Sequence, residues 1–143
     1  MRYLAEPFAL GALRRGRPVE QFLGPAGPPQ RPGIRYAEVR PAKTRYEILL
    51  HTLQDVGHET FADLVEFPPL APDDEEEESA RLVATRDDPL AALTAAEDLT
   101  GAVRGRWVNA GLVQDEYHDY VMAGRPAHSS LDGHPWPVPP FRS

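Results

Sequence analysis

Seven of the ten residues from 24 to 33, Gly-Pro-Ala-Gly-Pro-Pro-Gln-Arg-Pro-Gly, are glycine or proline. Proline lacks the backbone donor that helices and sheet ladders use, and glycine is the residue of tight turns. No helix or strand ladder is expected through this stretch. A second proline-dense stretch, Pro135-Trp-Pro-Val-Pro-Pro140, lies near the C-terminus and favours an extended polyproline geometry. Regular structure is therefore expected before residue 24 and between 34 and 124. The boundaries read as one domain over 1–124 and a Pro-rich tail over 125–143. A chain of 143 residues with 41% hydrophobic and 26% charged side chains is ordinary for one globular domain.

Before the first loop, Pro7 can start a helix in which Leu10 and Leu13 share a face. Arg14 and Arg15 then fall in its last turn and Gly16 ends it. Pro18 with Val19, Phe22, Leu23 and Gly24 predicts a second short helix. After the loop, Ile34 to Arg40 reads as a strand ended by Pro41. From Arg45 to Leu53 the chain alternates. Tyr46, Ile48, Leu50 and Thr52 share one face, and Leu49 and Leu53 lie on the other, so a strand covered on both sides is expected. Phe61 to Phe67, with Phe61, Val65 and Phe67 on one face and Asp63 interrupting it, predicts a third strand closed by Pro68-Pro69. Asp87 or Asp88 offers an N-cap and Pro89 a first helical residue. Leu90, Leu93, Ala96 and Leu99 supply the apolar face, and Gly101 the stop. Val113, Tyr117, Tyr120 and Val121 form the stripe of a last helix that Gly124 and Pro126 end. The expected fold is α+β: a small antiparallel meander of three or four strands with helices packed on one face.

The net charge of −7 is unevenly spread. Residues 73–78 are Asp-Asp-Glu-Glu-Glu-Glu, and outside them 16 acidic side chains face 15 basic ones. Residues 1–46 carry a net +6 and residues 47–143 a net −13. The acidic loop, placed at 71–80, reads either as a solvated, self-repelling connection or as a lure that speeds association with a basic protein. On the second reading Asp73, Asp74, Glu75, Glu76, Glu77 and Glu78 bind the partner. Arg14, Arg15, Arg17, Arg31, Arg35, Arg40, Lys43 and Arg45 could form a basic face beside Tyr3, Tyr36 and Tyr46. The overall acidity opposes phosphate polymers, so nucleic acid is not the expected partner.

Catalytic patterns are sparse. Absence of cysteine excludes disulfides, thiolate metal sites and cysteine nucleophiles. The glycine spacings match no phosphate-binding or dinucleotide fingerprint, and no serine sits in a nucleophile elbow. Asp115, His118 and Asp119 share one helical face and are the candidate metal ligands, a weak pattern common on solvated helix surfaces. His51 and Asp55 lie on one strand face, and His58 with Glu59 follow in the turn; no nucleophile accompanies them.

Positive charge follows the apolar stretch Phe8–Leu13, the reverse of an export signal. No run approaches the ~20 apolar residues of a membrane span. Arginine outnumbers lysine fourteen to one, a bias associated with GC-rich genomes. A bacterial, cytoplasmic protein without cofactor or membrane partner is the resulting expectation. The leading functional expectation is a non-enzymatic interaction or regulatory protein with an acidic recognition surface, of inhibitor or toxin-neutralising type. A metal-assisted hydrolase using the Asp115–His118–Asp119 cluster is the alternative. An accessory protein that self-associates, the +6 segment of one copy meeting the −13 segment of another, is a third.

Overall fold

In the computed structural model, residues 2–27, 30–68, 80–128 and Trp136 are described. The element order is α1 (Glu6–Arg14), β1 (Val19–Ala26), β2 (Gly33–Ala42), β3 (Arg45–Gln54), a 3-10 turn (Leu64–Glu66), β4 (Ala80–Arg86), α2 (Pro89–Thr100), β5 (Val108–Asn109) and α3 (Val113–Met122). The five strands form one open antiparallel sheet in the order β4-β3-β2-β1-β5. The α+β class stands, and the sheet has five strands rather than three or four. No described helix is long and apolar enough to cross a membrane.

The centre of the sheet is the β2–β3 hairpin, ten residue pairs in unbroken register from Ala42↔Arg45 to Gly33↔Gln54. Its turn is the dipeptide Lys43-Thr44, with Lys43 in the left-handed region at φ 42°. A two-residue hairpin turn fixes register, and register fixes which side chains face which layer. Ile48 and Leu50 therefore point with Ala37 and Val39 into a core completed by Ala9, Ala12 and Leu13 of α1 and Ala92, Leu93 and Ala96 of α2. Leu53 points with Ile34 and Tyr36 to the opposite face, where Val113, Tyr117 and Tyr120 of α3 build a second core. The expectation that the strand over 45–53 is covered on both sides holds for β3. The helices are not confined to one face: α1 and α2 cover one side and α3 the other.

α2 is capped at both ends, and α1, without a side-chain N-cap, stops at a glycine. The Asp88 side chain accepts from the Ala91 N–H at 3.0 Å, Pro89 opens α2, and Gly101 closes it at φ 83°. α1 ends in Gly16 at φ 81°.

The segment 19–26 is a strand, not a helix. Its apolar residues fit both periods because Leu23 is an extra residue: the register slips between Phe22 and Gly24. Phe22 and Leu23, adjacent along the strand, enter opposite cores by the ordinary alternation of a strand, and the bulge shifts the pairing from Gly24 onward. The strand also continues into the proline loop, with Pro25 opposite Ile34. β5 pairs only with Val19 and Glu20, so among the described residues β1 has β2 alone as partner at Pro25, and an edge tolerates the missing donor. Likewise β2 runs past Pro41 to Ala42.

The predicted strand 61–67 is a 3-10 turn instead. Leu64 and Phe67 are buried while Val65 is 80% exposed, a spacing no strand face provides. β4 was hidden by its own bulge: Ile48 pairs with Ala84 and Leu49 with Leu82, leaving Val83 extra and breaking the alternation.

The two sheet edges differ. At the β5 edge, Tyr3 bridges Val108 and the Leu4 N–H donates to the Trp107 carbonyl at 2.8 Å. Trp107 is fully buried, and its indole N–H reaches Glu97 at 3.1 Å. Among the described residues nothing pairs with the outer edge of β4. Replacing Trp107 by Ala empties the junction of α1, α2 and β5 and is expected to lower stability by about 3–5 kcal/mol. Urea denaturation followed by far-UV circular dichroism measures it, and a loss under about 1 kcal/mol would contradict this packing.

Candidate functional site

On the α3 side, the register aligns Leu82, Leu49, Glu38, Glu20 and Val108 in one row across all five strands. The next row is Ala80, His51, Tyr36 and Phe22. α3 packs chiefly on β1, at the Phe22 end of these rows. The polar residues at the centre of the sheet thus stand beside the aromatic core rather than within it.

Glu20 and Glu38 face each other directly across β1 and β2. Like charges in this position oppose folding, by roughly 0.2–1 kcal/mol for a directly opposed pair. Each carboxylate has one protein partner of its own. Glu38 Oε1 lies 2.7 Å from His51 Nε2, both side chains being largely buried. Glu20 Oε1 accepts from the Gly111 N–H at 2.9 Å. The His51 ring lies flat against Tyr36, with centroids 4.2 Å apart and planes within 4°. Burial pushes the Glu20 carboxyl up from its ordinary value. The Gly111 amide opposes that shift, Glu38 adds to it, and His51 opposes it. The Tyr36 hydroxyl is pushed up by burial and by both glutamates. Two carboxylates, an imidazole and an aromatic face thus converge in a poorly solvated patch in which, among the described residues, the two acids meet one imidazole and one backbone amide. Such a patch can receive a cationic group.

The remaining polar clusters join elements. Arg2 Nη1 donates at 2.7 Å to both Glu116 and Asp119 on α3. The Tyr3 hydroxyl donates to Glu116 at 2.9 Å; burial and the glutamate push it up to about 12. The Asp55 carboxylate, almost fully buried, accepts from the Tyr117 hydroxyl and from Arg125, whose Nη2 also donates to the Gly57 carbonyl at 2.7 Å. Arg104 bridges Glu6 of α1 and Glu97 of α2. Gln21 is 3% exposed and bonds both backbone groups of Val103 through its amide.

Trp136 comes back from the tail to the domain. Its indole N–H donates to the Pro126 carbonyl at 2.9 Å, and its ring packs edge-on against Phe22 and Tyr120. Gly24 makes room for it: a Cβ there would stand 2.3 Å from the indole. A cavity of about 80 Å³ lies beside the ring, lined in part by Tyr3, Phe22, Glu116 and Tyr120.

The residues singled out from the sequence are placed differently. Asp73, Asp74, Glu75, Glu76, Glu77 and Glu78 lie outside the described residues, as do residues 129–135 and 137–143 of the tail. His118 Nε2 is 2.9 Å from the Glu59 carbonyl, Asp119 is paired with Arg2, and Asp115 is exposed in the first turn of α3. Among the described residues no three His, Asp or Glu side chains are grouped to hold a metal. His51 and Asp55 do not meet: one turns to Glu38, the other to Tyr117 and Arg125. Glu38 was legible in principle. With Lys43-Thr44 as a two-residue turn, paired positions sum to 87, which sets 36 against 51 and 38 against 49. Glu20 was obscured by the helical reading of its segment. Compared with known protein families, curated proteins and solved structures, the chain has no significant match.

A carboxyl raised in the folded state supports folding fully below its unfolded value, and that support is lost as pH rises through the folded one. Glu20→Gln keeps an acceptor for Gly111 and removes this loss. The variant is expected to be more stable than the parent at pH 7.5, by roughly 0.2–1 kcal/mol, with the advantage fading toward pH 4. Urea midpoints at the two pH values test this; an equal loss of stability at both would show that the glutamate pair is not in opposition.

Proposed function

We propose that this protein is a non-enzymatic interaction or regulatory protein that takes a basic partner on its α3-side sheet face, where Glu20 of β1, Glu38 of β2 and His51 of β3 stand. The observation that carries this reading is the Glu20–Glu38 pair. Two opposed acids with one histidine and one backbone amide between them weaken the fold. An arginine or lysine from a partner would relieve that repulsion and meet acceptors already held in place. Leu82 stands in the same cross-strand row, 52% exposed, and adds apolar surface beside the acids.

The acidic run 73–78 enters the chain just before β4, the strand that carries Leu82. Its role in this reading is long-range attraction, which raises the association rate more than it slows dissociation. The two acidic features divide the work: residues 73–78 gather a basic protein, and Glu20 with Glu38 hold it. Inhibition or neutralisation of a basic protein is the kind of task such a surface suits.

The test is capture from a lysate of the source organism, followed by kinetics with the purified captured protein. Changing residues 73–78 to serine and glutamine is expected to lower the association rate and flatten its salt dependence. Glu20→Gln with Glu38→Gln is expected to raise the dissociation rate. A captured protein whose two rates are untouched by either set of changes would overturn the proposal.

A further inference from the structure

Two described residues other than glycine have positive φ, Lys43 and Arg125. The hairpin turn accounts for Lys43. Arg125, at φ 54°, follows α3, and the end of that helix does not require it. The Gly124 N–H donates to the Val121 carbonyl at 3.0 Å, and the Arg125 N–H donates to the Tyr120 carbonyl at 2.9 Å. This pair of bonds closes a helix with one left-handed residue, and Gly124 at φ 85° already supplies it. A side chain makes a second left-handed position costly. Pro126 adds to that cost, because a residue before proline favours an extended backbone with negative φ.

The Arg125 side chain is anchored well enough to hold such a turn. Its Nε donates to Asp55 Oδ2 at 2.8 Å, and its Nη2 donates to Asp55 Oδ1 at 3.2 Å and to the Gly57 carbonyl at 2.7 Å. Asp55 is itself fixed just beyond β3. Its N–H donates to the Pro32 carbonyl at 3.0 Å, and its carboxylate also accepts from the Tyr117 hydroxyl of α3. That carboxylate is 4% exposed, so water is a poor substitute for the guanidinium fork. One residue further on, the Pro126 carbonyl accepts from the Trp136 indole N–H, and the indole lies over Gly24 beside Phe22 and Tyr120. The strained residue thus stands between a buried ion pair and the acceptor that seats the tryptophan.

We propose that the Asp55–Arg125 pair is a clamp that holds this left-handed turn and thereby seats Trp136, whose indole acts as a strap over the groove formed by Gly24, Phe22 and Tyr120. With the pair broken, Arg125 relaxes to negative φ, the Pro126 carbonyl turns away from the indole N–H, and the strap lifts. The groove uncovered is aromatic and lies at the Phe22 end of the row that holds His51 and Tyr36. Asp55 and Arg125 are positioning residues that act through Pro126. The clamp works in the same way whatever the α3-side face binds, so it stands apart from the basic-partner reading.

The experiment follows the indole N–H signals of the two tryptophans in the whole chain by ¹H–¹⁵N NMR, with Trp136→Phe to assign them. The Trp107 signal, from the buried junction of α1, α2 and β5, reports whether the domain stays folded. Arg125→Ala loses the pair and keeps the backbone cost. Its Trp136 N–H is expected to exchange with water about 10-fold faster than the parent's, or more, with the Trp107 signal unmoved. Asp55→Asn, which keeps an acceptor for Tyr117, is expected to act in the same direction. Arg125→Gly loses the same pair but tolerates positive φ, so it is expected to keep more protection than Arg125→Ala. Parent-like exchange at Trp136 in Arg125→Ala would overturn the clamp. Equal acceleration in Arg125→Gly and Arg125→Ala would overturn its action through the turn. If Arg125→Ala also moves the Trp107 signal, Arg125→Lys, which keeps the charge and loses the fork, decides: faster Trp136 exchange supports the clamp, and unchanged exchange overturns it.

Discussion

Everything in this sheet is referred to the Lys43-Thr44 turn. Because it spans two residues, it locks β2 to β3 without slack, and the pleat then assigns each side chain to a face. Ile48 and Leu50 go to the α1/α2 core, and Leu53 goes with Ile34 and Tyr36 to the α3 core. The same register sets His51 beside Tyr36 and Glu38 beside Leu49. A slip of one residue would exchange the two faces, driving Glu38 and His51 under the helices and Ile48 out from between them. The polar patch and the apolar core are thus two results of one pairing.

The elements that were legible in the sequence are those whose signals are local. Asp88-Pro89 and Gly101 bracket α2, and their cap geometry needs no tertiary partner. Tyr117 and Tyr120 mark the buried stripe of α3. The alternation of 45–53 is carried by its own side chains. What was lost depends on pairing with distant strands. Leu23 and Val83 are bulge residues, and one inserted residue makes a strand look helical or featureless. Phe67 is buried, but by a turn that brings Leu64 in with it and sends Val65 out.

The candidate site shows the same divide more sharply. Its members come from three strands, and no short window of sequence contains two of the acids. The spacing that did stand out, Asp115-His118-Asp119, was disposed of by partners far along the chain: Arg2 for one and the Glu59 carbonyl for another. Helical spacing states that side chains share a face; it does not state what else reaches that face. Arginine at position 2 competes for the helix acids from the N-terminal end of the molecule, a relationship that only the fold creates.

The bulge at Val83 has a bearing on self-assembly. An unpaired strand edge invites further strands, and long runs of such additions are the route to fibrils. At the other side of the sheet Tyr3 and Leu4 close the invitation by binding β5. β4 cannot rely on a cover of that kind among the described residues, yet its kink spoils the straight ladder that an incoming strand would copy. Arg81 and Arg86, two like charges on one short strand, would be repeated against themselves in any stack of identical copies. Irregularity in the outermost strand thus acts as a brake on polymerisation, and a straightened β4 would be the variant in which that brake is released.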